Sequence, residues 1–249
     1  MTVSHVVIGA SRGIGLALTE ALLTKQPHDR VIAAARSADS PGLKALSAQH
    51  GERLQCLAVD VTEPASVAKL AEGLRDQPPI GTVIYSAGLL HHPDHPGLPE
   101  KKLEDLDWAA MQQVFVVNTL GPALALKHIM PLMDRQARSV FAVISARVGS
   151  IGDNQLGGWY SYRASKAAVN QLLRTAAIEA KRRHPHVIVT ALHPGTTDTD
   201  LSAPFQKNVP AGKLFTPAFV AERLLAVIDD LTAEDSGGFK AWDGQEVPW

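Results

Sequence analysis

Tyr162 and Lys166 stand four residues apart in Tyr162-Arg163-Ala164-Ser165-Lys166. On a helix that spacing puts both side chains on one face. A free phenol titrates near pH ~10 and exchanges protons poorly at neutral pH. A cation beside it favours the phenolate and lowers that value. The pair therefore suits general acid–base chemistry. Taken alone, the same spacing also describes a solvated surface pair. What it needs is a reacting partner held nearby.

A second segment offers one. Gly9-Ala10-Ser11-Arg12-Gly13-Ile14-Gly15 follows the first apolar run and opens the first helical one. Glycines allow a tight turn and let the backbone approach a diphosphate. The helix start adds free N–H groups and a positive dipole end. A site for NAD usually has an acid closing the second strand, to bind the ribose 2′-hydroxyl. Here the strand closes as Ala33-Ala34-Ala35-Arg36-Ser37. Arg36 can take a 2′-phosphate bidentately, and Arg12 lies in the turn to clamp it. NADP is thus favoured over NAD. Asp60 and Val61 close the third strand; Asp60 suits either a contact to the adenine amino group or a helix cap.

These segments need a scaffold. Apolar runs expected as strands are Val6–Ile8, Val31–Ala35, Leu54–Val61, Thr82–Tyr85, Val140–Ile144, Val187–Leu192 and Phe239–Trp242. Helical patterns separate them over Ile14–Thr24, Gly42–His50, Pro64–Leu74, Leu106–Met130, Ser161–Arg183 and Phe219–Leu231, with Thr62 placed to cap the third. Strands alternating with helices imply βαβ units, hence a doubly wound parallel sheet of about seven strands with helices on both faces. The irregular stretches His91–Pro99 and Thr196–Thr216 follow strands, where ligands bind in such sheets. The second is expected to act as a lid.

Composition narrows the classes. The 249 residues are 45% hydrophobic and 20% charged, which suits one α/β domain. A net charge of −1 carries no footprint for nucleic acid. The single cysteine, Cys56, excludes an internal disulfide framework and is expected to be a buried strand residue. The chain shows no basic leader, and no apolar run reaches the ~18 residues of a membrane helix, so a cytoplasmic protein without membrane partners is expected. His91, His92 and His95 crowd one loop, but Pro93 and Pro96 interrupt them. A substrate-loop role is expected there rather than a metal site. His128, His184 and His193 are read as surface or structural, and Tyr160, which has Ala164 four positions on, as lining the pocket.

The glycine turn and Tyr162-x-x-x-Lys166 together resemble the short-chain dehydrogenase/reductase family over nearly the whole chain. Tyr85-Ser86-Ala87-Gly88, Val117-Asn118-Thr119, His193-Pro194-Gly195-Thr196-Thr197-Asp198-Thr199 and Trp242-Asp243-Gly244 are similar to further family marks. Ala146–Ile151 and Gly157–Tyr162 resemble the branch of the bacterial C-factor and the insect carbonyl reductase sniffer. The resemblance implies a single Rossmann domain over 1–249, with a cofactor half to about residue 150 and a catalytic and substrate half after it. It implies Tyr162 as general acid in reduction and base in oxidation. Lys166 would bind the nicotinamide ribose and lower the tyrosine pKa, and Asn118 would hold a relay water. Gly9, Ser11, Arg12, Gly13, Ile14, Gly15, Arg36, Asp60, Val61, Ala87, Gly88, Pro194, Gly195, Thr197 and Thr199 would line the dinucleotide, Thr197 and Thr199 at its carboxamide. A homodimer or homotetramer is implied in the same way.

One departure stands out. The family's carbonyl-orienting serine sits three residues before a glycine; counting back from Gly149 reaches Ala146, not Ser145. Neighbouring strand residues face opposite ways. Ser145 is expected to take the role, with Ser150 the other candidate hydroxyl. The expected function is an NADP(H)-dependent oxidoreductase acting on a small or medium, fairly apolar carbonyl or alcohol, since Leu89, Leu90, Trp159, Leu201 and Phe205 stand near the presumed mouth. The alternative is a dinucleotide-binding regulatory protein with little turnover.

Overall fold

Each apolar run is long enough for one strand, and the segments between them carry helical periodicity. The computed structural model describes residues 2–90 and 99–249; the loop with His91, His92 and His95 lies outside the described residues. In chain order the elements are β1 (Ser4–Ile8), α1 (Gly13–Lys25), β2 (Arg30–Ala35), α2 (Pro41–His50), β3 (Leu54–Ala58), α3 (Pro64–Gly73), β4 (Ile80–Tyr85), α4 (Trp108–Phe115) and α5 (Gly121–Ile129). There follow β5 (Ser139–Ile144), α6 (Tyr160–Arg183), β6 (Val187–His193), β7 (Thr196–Thr197), β8 (Leu214–Phe215), α7 (Pro217–Asp230) and β9 (Phe239–Ala241). Seven strands form one parallel sheet in the order β3-β2-β1-β4-β5-β6-β9. The order reverses between β1 and β4, the crevice where such sheets bind ligands.

Alternation along the strands divides the core in two. Val6 and Ile8 pack with Leu70, Ile129 and Leu173 of α3, α5 and α6. Val7 packs on the opposite face with Leu18, Leu22, Leu224 and Ile228 of α1 and α7. The strands are therefore apolar on both faces, as parallel sheets require. Helices cover both sides, as the alternation of runs implies.

Four local details differ from expectation. β3 ends at Ala58 because the chain turns where the Asp60 carboxylate accepts the N–H of Thr62 at 2.9 Å and its hydroxyl at 2.7 Å. Thr62 is thereby taken from capping α3, whose N-cap is Glu63 with no side-chain bond. Cys56 is half-buried, with Ser47 Oγ at 3.6 Å from its sulfur. The long central helix starts at Trp108, since Asp107 caps it by accepting the Ala110 N–H at 2.8 Å. It runs to Leu132 with one π turn, Val116–Leu120. By length and composition that helix is apolar enough to cross a membrane, although polar residues interrupt its apolar run. Here it packs on the sheet, and its Asn118 and Thr119 are buried and bonded to other elements.

The stretch after β6 is more ordered than a loop. β7 and β8 pair in parallel, Thr196 with Leu214 and Thr197 with Phe215. They close a strap that contains a 3-10 helix, Ala203–Asn208.

Candidate active site

The glycine turn lies at the switch point, where the carboxyl ends of β1, β2 and β4 meet. Gly9 N–H donates to Ala34 O at 2.7 Å, while the N–H groups of Ser86 and Ala87 donate to Ile8 O at 2.7 and 3.1 Å. Gly9 has φ +89°, and a Cβ there would stand 2.5 Å from Ala87 N. Ser11, Arg12, Gly13, Ile14 and Gly15 carry the chain into α1, whose first turn holds no acidic side chain. Val61 packs beside Gly121 and Tyr85 under the same crevice.

Arg12 is paired rather than free. Its guanidinium donates to the Asp200 carboxylate of the strap at 3.0 Å, with both side chains largely exposed. Such an exposed pair is worth only ~0.5 kcal/mol, so an incoming phosphate can displace Asp200. Arg36 is exposed at the end of β2. Asp60 titrates below its ordinary value: burial opposes this, but the Thr62 bonds and the Arg36 charge outweigh it. The strap also reaches Gly13, where an added Cβ would meet the Thr199 methyl at 3.2 Å. Pro194 is buried, and Gly195 lies against the rings of Phe215 and Trp242. Thr197 is buried and its hydroxyl has no hydrogen-bond partner. A turn with no Cβ at Gly9, Gly13 and Gly15, a helix start with no acidic side chain in its first turn and an orphaned hydroxyl together fit a dinucleotide.

Across the crevice, α6 presents Tyr162, Lys166 and Asn170 on one face. All three are buried. The Lys166 ammonium lies 5.7 Å from the Tyr162 ring centroid and donates to Ile144 O at 2.8 Å. A Cβ on Gly88 would stand 4.0 Å from Lys166 Nζ and 3.7 Å from Asn118 Oδ1, so β4, the π turn and α6 converge here. Asn118 holds the Leu89 backbone at both ends: Oδ1 accepts its N–H at 2.8 Å, and Nδ2 donates to its carbonyl at 2.7 Å. Nδ2 also donates to Ser165 Oγ at 3.0 Å. π turns of this kind often mark functional sites.

Burial rules the electrostatics. It pushes the Tyr162 phenol up from its ordinary value and the Lys166 ammonium down to about 8. The expected lowering of the tyrosine by its lysine is therefore not what this protein shows; desolvation of the phenolate dominates. His193 is held down to about 4, chiefly by burial and then by Arg147. Its Nδ1 accepts the Arg147 N–H at 3.2 Å, a structural role as expected.

A family model described as short chain dehydrogenase matches residues 4–210. The chain belongs to the short-chain dehydrogenase family. This short-chain dehydrogenase is 34% identical to the 1-hydroxy-2-glutathionyl-2-methyl-3-butene dehydrogenase of Rhodococcus sp. (strain AD45) over 250 residues, 98% of each chain. It is 38% identical to C-signal of Myxococcus xanthus over 148 residues, 59% of this chain and 83% of that one. The NADPH-bound carbonyl reductase from chicken fatty liver superposes with a TM-score of 0.84 at 27% identity, covering 100% of this chain and 95% of the other. The dehydrogenase is an oxidoreductase with the seven-stranded Rossmann architecture of its family.

Within this dehydrogenase both candidate serine hydroxyls have partners. Ser145 is buried, and its hydroxyl donates to Asn170 Oδ1 of α6 at 2.7 Å. Its N–H donates to Leu192 O at 2.7 Å, and the preceding carbonyl is the one that holds Lys166. Ser150 is also buried and accepts the Asp153 N–H at 3.1 Å. Asn170 belongs to no motif legible in the sequence, although it stands four residues beyond Lys166 on the same helix face. The Ser145→Ala variant is expected to lose about 1–2 kcal/mol of stability, because it strands the Asn170 amide, while keeping turnover within about tenfold. Denaturant titration beside steady-state rates checks this. A rate loss of a hundredfold or more would show that the hydroxyl serves the substrate.

Proposed function

We propose that this short-chain dehydrogenase interconverts a carbonyl compound and an alcohol with NADP(H), Tyr162 acting as general acid and base. The observation that carries the reading is the buried Tyr162–Lys166–Asn118 group that meets Gly88, beside the Ala87 backbone against which Gly9 of the glycine turn packs. Gly9 to Gly15 would hold the diphosphate on the start of α1, and Arg36 and Arg12 the 2′-phosphate. Asp60, Val61 and Ala87 would flank the adenosine side, and Gly88, Pro194, Gly195, Thr197 and Thr199 the nicotinamide side. When bound, reduced nicotinamide supplies a hydride, two electrons and a proton, to the carbonyl carbon. Tyr162 gives its phenolic proton to the oxygen, so the carbonyl becomes an alcohol and the phenolate must then be reprotonated. Lys166 supplies the cation that steadies that phenolate, and Asn118 holds Leu89 and Ser165 so that a water can reach the ammonium. Ala146 offers no hydroxyl, and Ser145 would have to leave Asn170 to donate to the carbonyl, so Tyr162 is the main group to orient it. The same reading carries a homodimer or homotetramer, for which exposed Trp108, Leu120 and Ile178 leave apolar surface.

Steady-state NADPH oxidation against a panel of carbonyl compounds tests the proposal; tight NADPH binding with no turnover on any of them sinks it. That outcome would favour the second reading, a dinucleotide-binding regulatory protein, which draws on the methyl of Ala146 in place of a hydroxyl and on the likeness to C-signal. For cofactor choice, Arg36→Ala is expected to weaken NADPH by about tenfold to a hundredfold and NADH hardly at all, since a charge-assisted bond to the phosphate is lost. Fluorescence titration with both cofactors decides it, and equal losses would remove Arg36 from the phosphate site.

A further inference from the structure

The entrance to α6 has an unusual backbone. Gly157, Gly158 and Trp159 follow one another with φ of +64°, +65° and +53°. Trp159 is the one non-glycine residue with positive φ among those described. A left-handed conformation is unfavourable for a side chain of this size. The surroundings enforce it. Trp159 N–H donates to Glu100 O at 2.6 Å. Arg163 Nε donates to the carbonyls of Gly157 and Gly158 at 3.2 and 2.9 Å, and Nη1 to that of Val148 at 3.3 Å. The Ser161 hydroxyl closes the turn on the Glu100 carboxylate. Strain held this firmly points to a function for the residue that bears it.

The conformation aims the indole. On one side it meets Tyr162 edge to face, with centroids 6.2 Å apart and an interplanar angle of 72°. On the other it meets Phe205 of the strap at 4.8 Å and 57°. Both Trp159 and Phe205 are half-buried, so each keeps a solvent-facing part. A right-handed residue at 159 would send its ring elsewhere and break this bridge. The Arg163 guanidinium beside it is occupied by carbonyls and offers little charge to a ligand. The outcome is an aromatic wall that starts at the proton donor and ends on the strap.

We propose that Trp159 and Phe205 determine substrate specificity, favouring carbonyl compounds that carry a flat apolar ring next to the reacting carbon over short aliphatic ones. Rings stack offset or edge to face on such a wall, whereas short chains leave it partly wet. The inference rests on the carbonyl–alcohol reading above.

The test compares an aryl aldehyde or aryl methyl ketone with a short-chain aliphatic carbonyl, using NADPH and wild-type, Trp159→Gly, Trp159→Phe and Phe205→Ala enzymes. Glycine tolerates the left-handed backbone, so Trp159→Gly removes the ring without forcing the turn to refold. The ratio of kcat/KM for the aryl over the aliphatic compound is expected to fall about tenfold in Trp159→Gly, the aryl loss residing in KM. Trp159→Phe should restore part of the ratio, and Phe205→Ala should lower it in the same direction. An unchanged ratio in Trp159→Gly, or equal kcat losses on both compounds, overturns the specificity role while leaving the carbonyl reading intact. Wild-type enzyme that oxidises NADPH with neither compound class overturns both.

Discussion

Tyr162→Phe is expected to lower carbonyl turnover about a thousandfold while leaving fold and cofactor affinity in place. Phenylalanine keeps the ring that packs edge to face with Trp159 and loses only the hydroxyl. Ser145 is hydrogen-bonded to Asn170 and residue 146 is alanine, so a hydroxyl to take over from the phenol is not at hand. Steady-state NADPH oxidation gives the rate, and a fluorescence titration of NADPH shows that binding survives. Activity within tenfold of wild type would remove Tyr162 from the chemistry. The protonation states also set direction. A phenol is protonated at neutral pH and burial pushes its titration higher still, which on the proposed role serves reduction; oxidation needs phenolate and should gain as pH rises. Lys166 has a folded value of about 8 against 10.5 for the free group, so it sheds its proton as pH climbs through that window. Reduction should weaken there because the ammonium is lost. The stability contribution of the same group moves oppositely: the unfolded chain binds more protons between those values, and the fold gains as pH rises.

Gly9→Ala is expected to destabilise the protein by about 3 kcal/mol and to abolish dinucleotide binding. Two costs combine. The residue sits at φ +89°, and the new methyl would lie 2.5 Å from Ala87 N, 2.8 Å from Ala87 Cα and 3.0 Å from Ser86 C. Those are backbone atoms that Ile8 O holds through the N–H groups of Ser86 and Ala87. They cannot retreat without breaking bonds between β1 and β4. Gly51→Ala is the control, since Gly51 has φ +56° with no atom within 4 Å. It isolates the backbone term, expected near 1 kcal/mol. Denaturant unfolding of both variants measures the difference. Equal losses would show that the close approach to Ala87 costs nothing.

Much of the fold was legible because its signals are local. Apolar runs and helical periodicity placed the seven main strands and the helices of the α/β sheet, most within a few residues. The glycine turn was legible because a backbone that must approach a ligand excludes side chains. The shared face of Tyr162 and Lys166 follows from helix geometry alone. What remained hidden depends on segments distant in sequence. Thr62 looks like a cap until the Asp60 carboxylate claims it. Arg12 looks free until the strap delivers Asp200, and the strap looks irregular until Thr196 and Thr197 find Leu214 and Phe215. The sign of the tyrosine shift also needed the fold, because spacing shows a nearby cation but not the burial that outweighs it.

By itself, then, the sequence determined the sheet, the glycine turn and the shared helix face of Tyr162 and Lys166, since each is written in neighbouring residues. Only the tertiary structure decided that Ser145 bonds to Asn170 and that Trp159 is left-handed, reaching from Tyr162 to Phe205. Those outcomes are set by which elements meet in space and by the hydrogen bonds that the meeting must satisfy.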